Sequence, residues 1–451
     1  MTKAWKLATA AAAWAILSAA AAAPDPADPD RQWHYTPSAA NLASRDWFQD
    51  AKFGVFLHFG LYSQLGGAGA PGLAEWIMHE KQIPARQYER LAEFFNPARF
   101  NADEWVRGFK EAGAGYIVLT SKHHEGFALW GSKVSSYDVI DATPFKRDII
   151  AELADACRRH EIKLFFYHSQ LDWRHPDYFP RGRTGQHAGR PESGDWERYL
   201  QYQDAQVREL LTEYGPIGGI WFDGWWDHEE GPMRHRWNLR RTYKMIHDLQ
   251  PAALIANNHH QLPFPGEDYQ AFERDLPGEN AMGFNAAPVG KLPLEMAETM
   301  NGSWGFSLTD DKYKSAEQLV RTLVGAAGRN ANFLLNTGPM PDGRIQPENM
   351  KTLREIGHWL KVYGESIYRT RAGPVPPQKW GVSTVGKDGT IYLHLLDWEP
   401  GSLEVALPKS IKSARLIGSE AEVSFQQKGS SIKFDLSPRN EGEWDRVIAL
   451  R

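Results

Sequence analysis

Thiols are almost absent from this sequence. Cys157 is the single cysteine in 451 residues, so no disulfide forms within the chain and no zinc site rests on thiolates. Its helix-like setting, Ile149 to Arg159, is that of a small core residue and not of a nucleophile. Charge of one sign is missing as well. The net charge is −5 and no basic block occurs, which takes away the electrostatic footprint that nucleic acid requires. No glycine-rich loop follows a strand-like run, so a nucleotide cradle has no support. Neither G-x-S-x-G nor H-E-x-x-H is present, which speaks against a Ser-His-Asp hydrolase and against a zincin. There is no internal repeat and, past the N-terminus, no low-complexity tract or run of the ~20 apolar residues a membrane span needs.

What is present begins with a leader. Lys3 and Lys6 precede an alanine-rich apolar run, about Leu7 to Ala20, and Ala21 to Ala23 supply small residues before Pro24. That order reads as a cleavable secretory signal over 1–23, followed by a disordered lead-in over 24–32. The mature protein is then periplasmic or extracellular, with no membrane contact once the signal is removed. Hydrophobic residues at 42 % and charged residues at 24 % specify a globular body. Its 18 Trp and 16 Tyr are a high aromatic load: a large core takes most of them, and a carbohydrate cleft, where aromatic faces pack on the C–H faces of a sugar, would use others.

From residue 33 short apolar runs alternate with amphipathic ones. Strands are expected at Phe53–Gly60, Tyr116–Thr120, Lys163–Tyr167, Gly219–Phe222, Leu254–Asn257, Trp304–Ser307 and Asn332–Asn336. Helices fall between them, at Asn101–Gly113, Arg147–His160, Trp196–Tyr214, Arg241–Leu249, Ser315–Gly328 and Pro347–Tyr363. Such alternation over 33–372 predicts an α/β fold, a (β/α) barrel of the TIM type. Pro374, Pro376 and Pro377 mark a linker, and short strand-like runs beyond it predict a small C-terminal β-sandwich over 373–451.

Several expected strands end in polar or aromatic residues that do not belong in a core. His58 ends the first; Lys122, His123, His124 and Glu125 follow the second; Tyr167 and Asp172 end the third. Asp223 ends the fourth, Asn257 to His260 follow the fifth, and Trp304 lies near the sixth. In a barrel these ends ring one cavity on the C-terminal face. Asp223 followed by Trp225, Trp226 and Asp227 fits a sugar site; the plainer reading of Asp223-Gly224 is a turn or a helix cap. His123 and His124 are adjacent, so on an extended segment they point to opposite sides and do not share a metal. Neutral imidazoles suit hydrogen bonds to hydroxyls.

The motifs WFQDAKFGVFLHFGLYS (47–63), EWIMHE (75–80), LTSKHHEGFALW (119–130), IWFDGWWD (220–227), TMNGSWGF (299–306) and NFLLNTGPMPDG (332–343) occur in that order over about 300 residues. With them the chain resembles the retaining α-L-fucosidases of glycoside hydrolase family 29. The resemblance implies hydrolysis of terminal α-linked fucose from a fucosylated glycan or glycoside, without a cofactor or metal. By motif it implies His58, Glu75, Trp76, His123, His124, Tyr167, Trp221 and Trp304 as fucose-binding residues and Asp223 as nucleophile. Trp304 and Phe56 are candidates to meet the C6 methyl group of fucose. Many members carry an arginine in a D-R-W run after the fifth strand. Here Asn257-Asn258-His259-His260 stands instead, which leaves His259 or His260 for that place.

A retaining glycosidase places two carboxyls about 5–5.5 Å apart. For the acid/base, Glu75 is implied as a hydroxyl ligand, and Glu279 lies in a glycine-rich, solvated turn. Glu273 ends a D-x-x-x-x-E segment placed like the acid of other members, and Phe272 beside it is expected to keep water off. Glu295, between apolar flanks, is the alternative. The rival readings are a glycosidase for a related sugar such as an α-L-galactoside, a silent carbohydrate-binding protein, and a metallohydrolase. The leader carries its own test. Mass spectrometry of the protein from its native host is expected to show a start between Ala22 and Pro24. An intact Met1 on a soluble cytoplasmic protein would overturn the export reading.

Overall fold

Eight parallel strands make one sheet: β1 (Phe53–Leu57), β2 (Tyr116–Lys122), β3 (Lys163–Ser169), β4 (Gly219–Asp223), β5 (Leu254–Asn257), β6 (Gln270–Glu273), β7 (Leu294–Thr299) and β8 (Ala331–Thr337). Their order is β5-β4-β3-β2-β1-β8-β7-β6, the succession of a barrel opened at one seam. The computed structural model describes residues 28–68, 73–230, 233–234, 236–419 and 421–451, so the expected signal lies outside the described residues. Parallel neighbours require crossovers, and helices supply them: α1 (Ala39–Ala51), α2 (Ala102–Glu111), α3 (Ile149–His160), α4 (Trp196–Glu213), α5 (Leu239–Leu249), α6 (Ala316–Gly328) and α7 (Pro347–Tyr363). Their starts are legible as caps. Asn101, Asp148 and Asp195 accept first-turn N–H groups, and Ser315 with Gln318 forms a full capping box.

In the barrel, two strands go beyond the expected set, and so do α1 and the one-turn helices Ile77–Glu80 and Ala85–Tyr88. β6 and β7 were hidden by polar interior residues, and α1 precedes the first strand. The expected strand at Trp304–Ser307 is irregular chain. Its backbone is satisfied by side chains instead of a ladder: the Asn336 amide donates to the Trp304 carbonyl at 2.7 Å, and Gly305 N–H donates to Glu75 at 2.8 Å. Residues 28–32 also depart from the disordered lead-in expected for 24–32. Asp28 caps a 3-10 turn over Pro29–Arg31, and Arg31 donates to the carbonyls of Leu262 and Pro263.

Alternate residues of each strand face opposite sides. Phe56, Val118, Phe165, Tyr167, Trp221 and Leu334 therefore fill the barrel, while Val55, Leu57 and Phe222 face the helices. α1 plugs the N-terminal end. Its Phe48 ring meets Tyr269 at 4.4 Å and Tyr116 at 5.4 Å. Deep inside, Glu295 accepts from Tyr116 Oη at 2.6 Å and Trp221 Nε1 at 2.9 Å.

The seam between β5 and β6 carries no ladder. Asp268 closes it: its N–H donates to Ile255 O at 2.7 Å, and its carboxylate accepts Ile255 N–H at 2.7 Å. Arg45 of α1 pairs with the same carboxylate at 2.6 Å.

The C-terminal part is a sandwich of antiparallel sheets. The larger holds β9 (Thr370–Ala372), β10 (Gly381–Gly386), β11 (Ile391–Leu395), β13 (Ala414–Leu416) and β16 (Arg446–Leu450); the smaller holds β12 (Gly401–Ala406), β14 (Phe425–Lys428) and β15 (Ser431–Leu436). Leu393, Ile448, Ile432 and Phe434 fill the space between them. Because β9 pairs with β10, the sheet begins at Thr370, inside the 33–372 range read as barrel. Asp50 at the end of α1 binds Arg371 and Lys387, which ties this sheet to the barrel.

The seam yields a measurable expectation. Asp268→Ala leaves the Ile255 N–H and Arg45 without their buried partner and is expected to cost about 3–5 kcal/mol in urea unfolding at pH 7. A loss below about 1 kcal/mol would show that the seam closes without Asp268.

Candidate active site

The C-terminal rim of the barrel gathers the strand-end residues. Asp223 is the last residue of β4, on the inward face with Trp221 two positions before it. Gly224 follows with φ +97°, a left-handed conformation that opens the 3-10 turn Trp225–His228. The turn brings Trp226 back over the acid, and its Nε1 donates to Asp223 Oδ1 at 2.9 Å. The Asp-Gly pair is thus both a strand end and a turn. Tyr167 Oη donates to Oδ2 at 2.9 Å. Burial raises the carboxyl above the ordinary aspartate range, and the donors from Trp226, Tyr167 and Asn258 pull the other way.

Glu273 ends β6 across the seam. Asn258, just after β5, donates from Nδ2 to Glu273 Oε2 at 2.8 Å and to Asp223 Oδ1 at 3.4 Å. The sum of those distances caps the gap between the two oxygens at about 6.2 Å. Burial, and then the charge of Asp223, push the Glu273 carboxyl up to about 7. Phe272 has no part in this. It faces the helices, on the opposite side of the strand from Glu273, so the expected shielding by Phe272 is corrected by the two-residue period. Glu295 lies in the barrel interior on Tyr116 and Trp221, and Glu279 is half-exposed on Arg329.

Three imidazoles line the rim: His124 faces Asp223, and His58 and His123 pack on Tyr167 beside it. His58 Nδ1 lies 2.7 Å from Asn336 Oδ1. The Asn336 amide nitrogen is spent on Trp304 O, so its oxygen accepts from His58 Nδ1–H and His58 Nε2 is the bare nitrogen. Burial pushes His58 down to about 3, which keeps it neutral. Ser169 Oγ donates to Leu171 O and so accepts from His124 Nδ1 at 2.7 Å. His124 Nε2, again the bare nitrogen, faces Asp223 Oδ2 at 3.6 Å. Two acceptors meet there, and a hydrogen-bond donor is what the gap lacks. His123 stacks on Tyr167 at 5.3 Å, and burial lowers both His123 and His124 far below the usual imidazole range.

The expectation that His123 and His124 point to opposite sides does not hold: their rings are 4.2 Å apart. β2 shifts register between Thr120 and Lys122, and the chain then turns, with Gly126 N–H on His123 O, so the segment is not extended.

The other expected residues complete the wall. Glu75 is buried, accepts from Gly305 N–H and Ser303 Oγ, and is raised to about 7, mainly by burial. Its Oε1 is buried and takes no donor among the described residues. Trp76 stacks on Trp226 at 5.7 Å and meets His124 edge-on. Trp304 packs on Phe56 and His58. Trp221 spends its N–H on Glu295, so only its ring reaches upward, stacked on Tyr167.

Neither His259 nor His260 holds the carboxyl pair from the fifth strand. His259 turns away to Glu267 at 3.0 Å, and His260 stands 3.9 Å from Glu273. Trp226 was read from the sequence as part of a sugar site, and Asn258 only as a member of the run after the fifth strand; neither was read as a donor to the carboxyls. An amide beside two acids had a signal in its position after β5, but none in its residue type.

The alpha-L-fucosidase family profile matches residues 23–365. Tissue alpha-L-fucosidase of Mus musculus is 30 % identical over 431 residues, 87 % of this chain and 88 % of that protein. Alpha-L-fucosidase isoenzyme 1 from Paenibacillus thiaminolyticus superposes with a TM-score of 0.79 at 33 % identity, over 91 % of this chain and 99 % of that one. A GH29 alpha-L-fucosidase from Bacteroides thetaiotaomicron, trapped as a covalent intermediate with 2-fluoro-fucosyl fluoride, superposes with a TM-score of 0.78 at 28 % identity, over 93 % and 97 %. Fold, rim and relatives agree: the chain belongs to the alpha-L-fucosidases of glycoside hydrolase family 29 and is a glycoside hydrolase.

Proposed function

We propose that this protein is an exported, retaining exo-α-L-fucosidase that removes terminal α-linked fucose from glycans through a covalent fucosyl-enzyme, with Asp223 as nucleophile and Glu273 as acid/base. The observation that carries the reading is the single Asn258 amide bonded to both carboxyls. A gap of at most about 6.2 Å lies under the 6.5–9.5 Å that an inverting pair needs for its water, and it accommodates the retaining spacing of about 5–5.5 Å. The Bacteroides thetaiotaomicron relative caught as a covalent intermediate supports the same route. The Lys3–Ala23 pattern supports export.

In the first step an Asp223 oxygen bonds to C1 as the glycosidic C1–O bond breaks, and the Glu273 proton goes to the departing oxygen. In the second, Glu273 takes a proton from water, the water oxygen bonds to C1, and the ester to Asp223 breaks. Two inversions give retention. His58 and His124 present bare nitrogens, and Glu75 a buried unpaired oxygen, as acceptors for the sugar hydroxyls. Trp304 and Phe56 offer apolar surface to the C6 methyl.

Asp223→Asn is expected to keep the fold by circular dichroism and lose nearly all turnover. 2-Fluoro-fucosyl fluoride is expected to label the peptide that contains Asp223; label on another carboxylate would reassign the nucleophile.

Glu273→Ala is expected to slow substrates with poor leaving groups by about 10²–10⁴-fold and activated aryl fucosides far less. The sign of the pH dependence follows from the two roles. Glu273 acts protonated, so wild-type kcat/KM falls as pH rises through about 7. Asp223 acts ionised, so activity also falls on the acid side, above the ordinary aspartate range. The alkaline limb is expected to vanish in Glu273→Ala; its persistence would remove Glu273 from the acid/base role.

A further inference from the structure

The carboxyl pair is held by one neutral side chain. Asn258 offers two N–H bonds on a single nitrogen, and that nitrogen reaches Glu273 Oε2 and Asp223 Oδ1. Asn258 is itself fixed, because it is buried and its backbone N–H donates to Phe222 O at 2.8 Å, one residue before Asp223. The amide therefore spans from a ladder-bonded strand end, β4, to the strand across the open seam. No β5–β6 ladder holds Glu273 in register with Asp223. On the far side, Asn285 clamps the Glu273 backbone, accepting its N–H at 3.2 Å and donating to its carbonyl at 2.7 Å. The clamp fixes the main chain and leaves the carboxyl to rotate about its side-chain bonds. Asn258 is the group that stops that rotation.

Which oxygen of Glu273 carries the proton then follows. Oε2 receives the Asn258 N–H, so a proton held by the acid resides on Oε1. Oε1 accepts from no side chain among the described residues, and Glu273 is part-exposed to the cleft, so this oxygen is the one open to a leaving group.

We propose that Asn258 is a positioning residue for the fucosidase reaction: its amide sets the spacing of the two carboxyls and turns Glu273 so that Oε1 presents the proton to the departing oxygen. The proposal rests on the assignment of Glu273 and Asp223 above. The titratable groups around the pair are His124 and Tyr167 toward Asp223, and His260, Arg274 and Glu75 toward Glu273. Of the groups bonded to both acids, Asn258 is a donor that lowers each of them, so its removal raises both.

Two variants test this. Asn258→Ala removes the donor, and Asn258→Asp keeps the shape but replaces both N–H bonds with a carboxylate. Each is measured for its thermal melt, its kcat on a fucosyl disaccharide and on an activated aryl fucoside, and the pH profile of kcat/KM. Both variants are expected to lose about 10²-fold in kcat on the disaccharide and much less on the aryl fucoside. Both limbs of the profile move to higher pH, farther for Asn258→Asp, which adds negative charge, than for Asn258→Ala. A space-filling role would be met by the isosteric Asp, so an Asn258→Asp enzyme with wild-type limbs and leaving-group dependence overturns the proposal. So does a loss that is equal on both substrates with unmoved limbs. Glu273→Ala measured alongside separates the two failures. If it still shows the leaving-group dependence while both Asn258 variants behave as wild type, only the role of Asn258 falls. If Glu273→Ala loses nothing, the carboxyl assignment falls first.

Discussion

The seam between β5 and β6 is the constraint on which the site depends. Seven neighbouring strand pairs are locked by ladders, and the eighth is joined by side chains and the single backbone bond from Asp268 N–H to Ile255 O. Asp268 supplies the joint at the lower end, through Ile255 and Arg45, and Asn258 at the rim. The Asp223 and Glu273 carboxyls sit on opposite sides of this seam, one on a strand fixed at both edges and one on a sheet edge. A ladder would have dictated their separation by strand spacing alone. Where no ladder runs, the separation is left to the Asn258 amide at the rim and to Asp268 below it.

The polar residues inside the barrel follow from the same economy. Glu295 sits among aromatic rings, yet both its oxygens are bonded, by Tyr116 and Trp221, which is what makes a buried acid tolerable. That bond consumes the polar end of Trp221 and leaves its ring as floor for Tyr167, which in turn donates to Asp223. The chain Tyr116–Glu295–Trp221–Tyr167–Asp223 thus runs from the plugged end of the barrel to the Asp223 carboxylate at the rim, with each member oriented by the one below.

Most of the barrel was legible because apolar runs such as Tyr116–Leu119 and Leu334–Leu335 are buried on both faces, and because Asn101 and Ser315 announce their helices. β6 and β7 were not, since Gln270, Glu273, Glu295 and Glu298 break the apolar pattern that a buried parallel strand shows. Trp304 misled for the reverse reason: its aromatic run looks like a strand, but its backbone partners are side chains distant in sequence. In the site, Asp223 and the His123-His124 pair stood out by position, and a motif resemblance raised Glu273 over Glu295. Asn258 stayed hidden because its role is defined by two partners on other strands, 35 and 15 residues away.

The groups that touch Asp223 are a phenol, an indole, an amide and an imidazole held neutral by burial. None of them is a counter-ion. With Asp223 as the proposed nucleophile, its negative charge meets hydrogen-bond donors but no cation, and the positive charge that would develop at C1 and the ring oxygen is the first charged partner to neutralise it. A sugar mimic that already bears a protonated nitrogen at that place brings the same partner from the start, and so meets a cavity electrostatically complementary to the oxocarbenium ion and not to the neutral sugar.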